Sequence, residues 1–376
     1  MNHHRITPIV LLGALIAFTP ACAADAPAPA TRPGGTAPAP GSPAALLLDA
    51  AALIPDHVSI FPRFGEDGIA DLTEADHPFH AALLRAVAAA HELRAFTPDG
   101  DPFVPTTGQQ DAVQRLANVG MLRGTVLFDA GRADECAAFS LAGLTCARFI
   151  SRSDTYTAKR REVDLSKSAM VHLTRRVRRM SPEAINRAAE HLNTLPPMTA
   201  PADVLRAEAK RLLAGAPDGL GDDFAGGDGG GDADRGHPAD ADHAGEQPLT
   251  PAQAAVLSAL FEDLAQVISI RPDEMAREVD ARVARVSAAH PDLADSLAAL
   301  RNFVVDFGRQ CTVYEVWLDL TRAAVAVAAG GPDRVDGFRD YFGDGPFAHR
   351  PVGQAGAFEV VSDLEMNGEP VKVRVE

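Results

Sequence analysis

The chain is 376 residues long, 46 % hydrophobic but only 6 % aromatic, and carries a formal net charge of −16 at pH 7. An acid surplus of this size argues against general affinity for nucleic acid, and only three of its four cysteines (Cys136, Cys146 and Cys311) lie beyond residue 22, an odd count that makes no disulfide framework. Much of the apolar content is alanine, the best helix former and a weak strand former, so the composition predicts an all-α, mainly helical body packed through small side chains.

Asn2 to Arg5 is a short polar start, Ile6 to Phe18 is almost wholly apolar, and Thr19 to Ala24 is a small-residue exit. That order predicts a secretory signal over residues 1–22, too short to be read as a spanning helix. Two processing readings stand side by side. Ala21-Cys22-Ala23 fits a signal-peptidase site that releases a soluble periplasmic protein. Cys22 also fits the lipidated first residue of an envelope lipoprotein, with Thr19 where the lipobox has Leu. Residues 23–43 are a Pro/Ala-rich tether without apolar period.

Residues 44–214 read as an N-terminal helical domain. Ala44 to Ile54 is a short helix, His57 to Phe61 an extended segment, and Pro78 to Ala95 a helix with Phe79, Leu83, Val87 and Ala90 on one face. From Gln109 to Ile150 the pattern is a helical hairpin broken at Gly131, with Gly120, Gly124, Ala137 and Gly143 small enough for close approach. Its outline is that of a tetratricopeptide-type unit, but no second copy follows at the 34-residue period. Thr157 to Met180 carries a stripe of Val163, Ser166, Met170, Leu173, Val177 and Met180. Ser181-Pro182-Glu183 opens the next helix with a Ser cap and Pro in the first turn, and Pro196-Pro197 closes it. Pro201 to Ala214 is another.

Residues 215–248, rich in Gly, Asp, Ala and Pro, lack the apolar surface to offset the entropy of ordering and read as a disordered linker. A C-terminal helical domain spans 249–343. Thr250-Pro251 and Pro272 open two helices. Leu293, Leu297, Leu300, Val304, Phe307, Cys311, Tyr314, Leu318, Thr321, Val325 and Ala328 then alternate steps of four and three. This heptad seam predicts one helix about 50–55 Å long, with Gly308 a candidate bend and Gly330-Gly331-Pro332 its end. The seam needs an apolar partner: the preceding helices, or a second subunit reached through Leu293, Leu300, Phe307 and Leu318. Residues 344–376 change period and read as a two-stranded β-ribbon, Ala357 to Val361 and Val371 to Val375 around Asn367-Gly368, lying on a helix.

Two resemblances follow from these residues. The body, with Gly131-Arg132 turning its hairpin and Leu195-Pro196-Pro197 after the Ser-Pro-Glu start, resembles exported, Ala-rich helical proteins of unknown function from high-GC bacteria. The run Gly345 to Pro351, with Phe358, Ser362 and Asn367-Gly368, is similar to the C-terminal strand region of type II secretion pseudopilins. Gly345 replaces the Asp of that pattern, His349 falls near its Gly, Leu364 replaces the Gly after Ser, and no prepilin processing site is found. The second resemblance therefore implies an accessory part in a secretion or pilus-like system, not an assembling pilin.

The candidate chemistry is sparse. His77 and His80, with His91 downstream, suggest a metal site, but no third ligand has a defined position. Asp240 to Gly245 starts like an EF-hand loop but has Ala244 at position five and Pro251 where the bidentate Glu belongs. No cofactor motif and no nucleophile–base spacing is present. Cys136 and Cys146, on one helix, stand about 15 Å apart along its axis, too far to pair; Cys311 is placed to meet either, but buried free thiols fit better.

The feature that points to binding is a run of cations in an acidic chain: Lys159, Arg160, Arg161, Lys167, Arg175, Arg176, Arg178 and Arg179. They read either as a solvated face paired with Glu162 and Asp164, or as an anion-binding surface for an acidic protein, for membrane phospholipid near Cys22, or for the acidic linker. The expected function is a non-enzymatic cell-envelope scaffold or protein-binding protein that uses a helical surface. An enzyme whose site assembles only in three dimensions is the rival.

Overall fold

The structure is a computed structural model that describes residues 37–92, 95–96, 103–214, 250–268, 271–353, 356–366 and 368–376. The expected signal, Cys22, residues 23–36 of the expected tether, and the 215–248 stretch with its EF-hand-like run lie outside these residues. The fold is mainly helical with a small C-terminal antiparallel sheet, as composition and period require. The helices are α1 (Pro43–Ala51), α2 (Ile69–Leu72), α3 (Pro78–Glu92), α4 (Thr107–Asp129), α5 (Ala133–Ile150), α6 (Tyr156–Thr174), α7 (Pro182–Thr194), α8 (Pro201–Ala214), α9 (Pro251–Ala265), α10 (Pro272–Ala289) and α11 (Ala294–Gly330).

Local chemistry sets most boundaries. Ser42, Thr106, Ser181 and Thr250 each cap a helix with the side-chain oxygen on a first-turn N–H, and Thr106 and Thr250 close full capping boxes with Gln109 and Gln253. Gly131, at φ 79°, takes the left-handed turn between α4 and α5 that a side chain would strain. The cation-rich stretch departs from its expected single helix. It ends as α-helix at Thr174 and continues as a 3₁₀ turn, Val177–Arg179. His57 to Phe61 forms turns and no strand, and α2 is an unforeseen single turn after Gly68.

The chain divides into two compact units that do not follow the expected boundaries at 214 and 249. The smaller takes in Asp154–Thr157 and, from Ala200–Gln310, helices α8, α9 and α10 with the first half of α11. Within it Tyr156 packs edge-on against Phe303 and Phe307, at ring separations of 4.8 and 5.3 Å. The Tyr156 N–H donates to Glu208 Oε1 at 2.7 Å. Gly308 marks no break: α11 runs through it, and a Cβ there would occupy the space of the Met275 thioether.

The larger unit takes in 37–153, Ala158–Thr199 and Cys311–Glu376. Its centre is the α4/α5 hairpin. A Cβ on Gly120 would stand 3.3 Å from Phe139 Cδ1, and one on Gly124 3.4 Å from Cys136 O, so small residues do let the two arms approach closely. One continuous apolar cluster joins α1, α3, α4, α5, α6, α7, the second half of α11 and the tail. Each fully buried Leu, Phe or Ile in it contributes roughly 1.5–3 kcal/mol of transfer free energy. Leu293, Leu297, Leu300, Val304, Phe307, Cys311, Tyr314, Leu318, Thr321 and Val325 are all buried within this single chain. The four seam residues expected to serve self-association, Leu293, Leu300, Phe307 and Leu318, are each at most 8 % exposed.

The tail has three strands, not two: β1 (Ala348–Pro351), β2 (Phe358–Met366) and β3 (Glu369–Val375), antiparallel in that order. His349 pairs Val360, which in turn pairs Val373. The added strand is the Pro-containing run, which suits an edge. Phe358, Val360, Val371, Val373 and Val375 face the larger unit's core, so the sheet is part of that unit. A register shift between Val361 and Glu365 is held by buried Asp340. Asp340 accepts from the Phe342 N–H (3.0 Å), the Ser362 hydroxyl (2.9 Å) and the Asp363 N–H (2.6 Å).

Candidate functional site

Four polar groupings in the larger unit are candidates for function, and three of them are built from different helices. The first is a pin at the α4/α5/α6 junction. His172 Nδ1 stands 2.7 Å from Ser140 Oγ, and Nε2 stands 3.0 Å from Thr125 Oγ1. Cys136 Sγ lies 3.9 Å from Nδ1. A Cβ on Gly124 would come within 2.9 Å of His172 Cε1, so that glycine admits the imidazole. Burial, then the nearby Arg176 charge, push His172 down to about 3, and burial raises the Cys136 thiol to about 11. A Ser–His pair at this distance has the outline of a nucleophile and base. Yet Ser140 is wholly buried, both imidazole nitrogens are engaged by hydroxyls, and a base held near 3 has little proton affinity at neutral pH. The geometry ties three helices together.

The second is an ion cluster in the core. Arg148 Nη1 and Lys159 Nζ bind the two carboxylate oxygens of Glu162, the lysine at 2.8 Å. Arg148 Nε also donates to Pro196 O at 2.8 Å. All three side chains are at most 2 % exposed. Burial opposes the Arg148 charge, but Tyr314 and Glu162 outweigh it and hold the guanidinium above its ordinary range. Burial raises the Tyr314 phenol. The Tyr314 and Ser166 hydroxyls complete no hydrogen bond of full geometry, although Arg148 and Ser166 are close enough to act on the phenol.

The third is a crevice beside that cluster, lined by Ala90, His91, Phe96, Thr145, Arg148, His191, Thr194 and Leu195. The His91 and His191 rings stack at 5.7 Å, and His191 Nε2 is 3.2 Å from Thr145 Oγ1. Burial, then His91, push His191 down to about 4. The internal volume is about 20 Å³.

The fourth is the surface where the cations of the sequence gather. The structure separates them. Lys159 is fully buried in the ion cluster and does not belong to any surface. Arg161 pairs with Asp111 across to α4, and Arg160 lies 3.9 Å from Asp164 on the exposed side of α6. Lys167, Arg175 and Arg176 line an open groove together with Ser168, Val171 and His172. Lys167 stands over the Trp317 ring at 5.3 Å, and Arg176 and Arg179 lie at 5.0 and 4.9 Å from the Phe128 ring. Aromatic faces therefore position three of these cations; Lys167 and Arg179 stay exposed, whereas half-buried Arg176 donates inward to His172 O at 2.9 Å and to Thr125 Oγ1 at 3.4 Å and keeps its Nε buried. Arg178 is exposed, and a Cβ on Gly356 would collide with its guanidinium.

The metal-like histidines are placed otherwise. His80 is buried with Nε2 3.0 Å from Leu72 O and Nδ1 3.4 Å from Ala75 O, so its nitrogens face backbone carbonyls. Among the described residues no three His, Cys, Asp or Glu converge as for a metal, and no helix is long and apolar enough to cross a membrane. Cys136, Cys146 and Cys311 are buried free thiols, and burial pushes Cys146 and Cys311 up to about 12.

Compared with known protein families, curated proteins and solved structures, the chain shows no significant match.

Proposed function

We propose that the protein is a non-enzymatic binding or scaffold protein of the cell envelope whose contact surface is the basic groove on α6 and the turn after it, and that its partner there is an acidic protein. The observation that carries this reading is the gathering of Lys167, Arg175 and Arg176 around one open groove, with Arg179 flanking it on Phe128. Such a concentration in a chain of net charge −16 sets up a local field opposite to that of the rest of the molecule, which orients an acidic partner and speeds its encounter. The polar clusters of the interior engage one another, as structural pins do.

The test is a photocrosslinking amino acid at Val171, on the groove wall, in cells carrying the full chain. The expected result is a discrete protein adduct that weakens with added salt and disappears in the Arg175→Glu/Arg176→Glu variant. An adduct indifferent to both changes would overturn the assignment. A second reading, an accessory part in a secretion or pilus-like system, draws on the tail, where antiparallel strands do follow the Gly345-Pro346-Phe347 run. Envelope attachment through Cys22 is checked by lipid labelling that is lost in Cys22→Ser.

A further inference from the structure

The core ion cluster is unbalanced. Arg148 and Lys159 share the single carboxylate of Glu162, and Tyr314 stays neutral because burial raises its phenol. Glu315 acts on Lys159 only from the exposed side of α11, without pairing. One positive charge is therefore left over in a region where every side chain of the cluster is withdrawn from water. An uncompensated buried charge costs several kcal/mol, so a counter-charge beside it is favourable. Lys159 has the surface acid within its field. Arg148 has no second carboxylate acting on it among the described residues.

Arg148 also forms part of the crevice wall, and this is where the surplus charge meets space. The walls are otherwise apolar (Ala90, Phe96, Leu195) or carry hydroxyl and imidazole groups (Thr145, Thr194, His91, His191). The Thr194 hydroxyl donates to its own helix at Glu190 O (2.9 Å), and Thr145 is taken up by His191 and Leu141 O. Arg148 Nε and Nη1 are already given to Pro196 O and Glu162, so what this residue offers a guest is chiefly its charge, with the His91 ring on the same wall. A cation is repelled by Arg148. An internal volume of about 20 Å³ admits one water-sized species, which is too small for a phosphate or carboxylate ligand.

We propose that this crevice is a binding site for one halide-sized monovalent anion, chloride under ordinary conditions, held between the Arg148 guanidinium and the His91 ring. The site is separate from the basic groove and does not depend on the reading of that groove.

The test compares the full-length chain in sodium chloride and sodium gluconate at equal ionic strength. Thermal unfolding of the larger unit is followed by Trp317, the single tryptophan of the chain. Chloride is expected to raise Tm by about 2–4 °C and then saturate. Crystals grown in sodium bromide should show an anomalous peak beside Arg148. Substituting Arg148 risks unfolding, so the informative variant is His91→Phe. It keeps a ring against His191 but loses the N–H, and should keep the gluconate Tm and lose at least half of the chloride shift. Equal Tm in both salts, or a crevice holding water alone in bromide, would overturn the proposal. So would a chloride shift undiminished in His91→Phe.

Discussion

Acid should loosen the larger unit in a way that depends on His172. Its ordinary value of 6.5 is pushed down to about 3 in the fold, chiefly by burial. As pH falls below about 6.5 the unfolded chain takes up a proton that the folded chain refuses. The stability the neutral imidazole supports is therefore complete above pH 6.5 and is lost progressively as pH falls toward 3. At pH 4.5 the span from 6.5 is two units, which costs roughly 2–3 kcal/mol. His191, pushed down to about 4, adds a loss of similar size over the same window, roughly 2–3 kcal/mol. Urea unfolding at pH 7.5 and 4.5, followed by Trp317 fluorescence, measures the sum. His172→Gln lowers stability at both pH values by removing the pin, but should reduce the pH-dependent part by roughly 2–3 kcal/mol. If wild type and His172→Gln lose the same free energy between the two pH values, the imidazole titrates normally and the three-helix pin is wrong.

Other substitutions probe other contacts. Glu162→Gln leaves Arg148 and Lys159 buried without their carboxylate and should cost about 3–5 kcal/mol in the same urea assay. Gly308→Ala gains about 1 kcal/mol in helix propensity, but drives a methyl into the Met275 thioether. The net should be destabilising, by up to about 2 kcal/mol, seen as a lower midpoint for the smaller unit's far-ultraviolet transition. Asp340→Ala removes the acceptor of two N–H groups and the Ser362 hydroxyl at the β2 irregularity, at about 1–3 kcal/mol. Amide exchange should quicken at Phe342 and Asp363 while α4 and α5 stay protected.

Helices were legible in the sequence because their signals are local. Ser181-Pro182 and Thr250-Pro251 carry their caps and first turns within a few residues, and the α11 seam repeats often enough to identify one helix. What the seam packs against was not legible, because periodicity gives the apolar face and not its partner. The third strand was hidden for a related reason: Ala348 to Pro351 has no alternation of its own and is a strand only because β2 offers it a ladder. The same logic governs the sites. Eight cations on one stretch looked like one surface, yet spacing cannot tell that Lys159 turns inward to Glu162 while Lys167 turns outward over Trp317. The His172–Ser140–Thr125 pin and the His91–His191 crevice draw on helices 32 to 100 positions apart. A buried histidine on a polar-looking helix and a Gly opposite it were the only traces they left.

The proposed role rests on the outward cations being covered by a partner in cells, and the chain carries its own reference points for that. Its lysines include buried Lys159, groove-lining Lys167, and exposed Lys210 and Lys372. Amine acylation read by mass spectrometry, in intact cells and on purified protein, should leave Lys159 unlabelled in both and label Lys210 and Lys372 in both. Lys167 should label on the purified protein and be protected in cells. Equal labelling of Lys167 in the two settings would contradict the account.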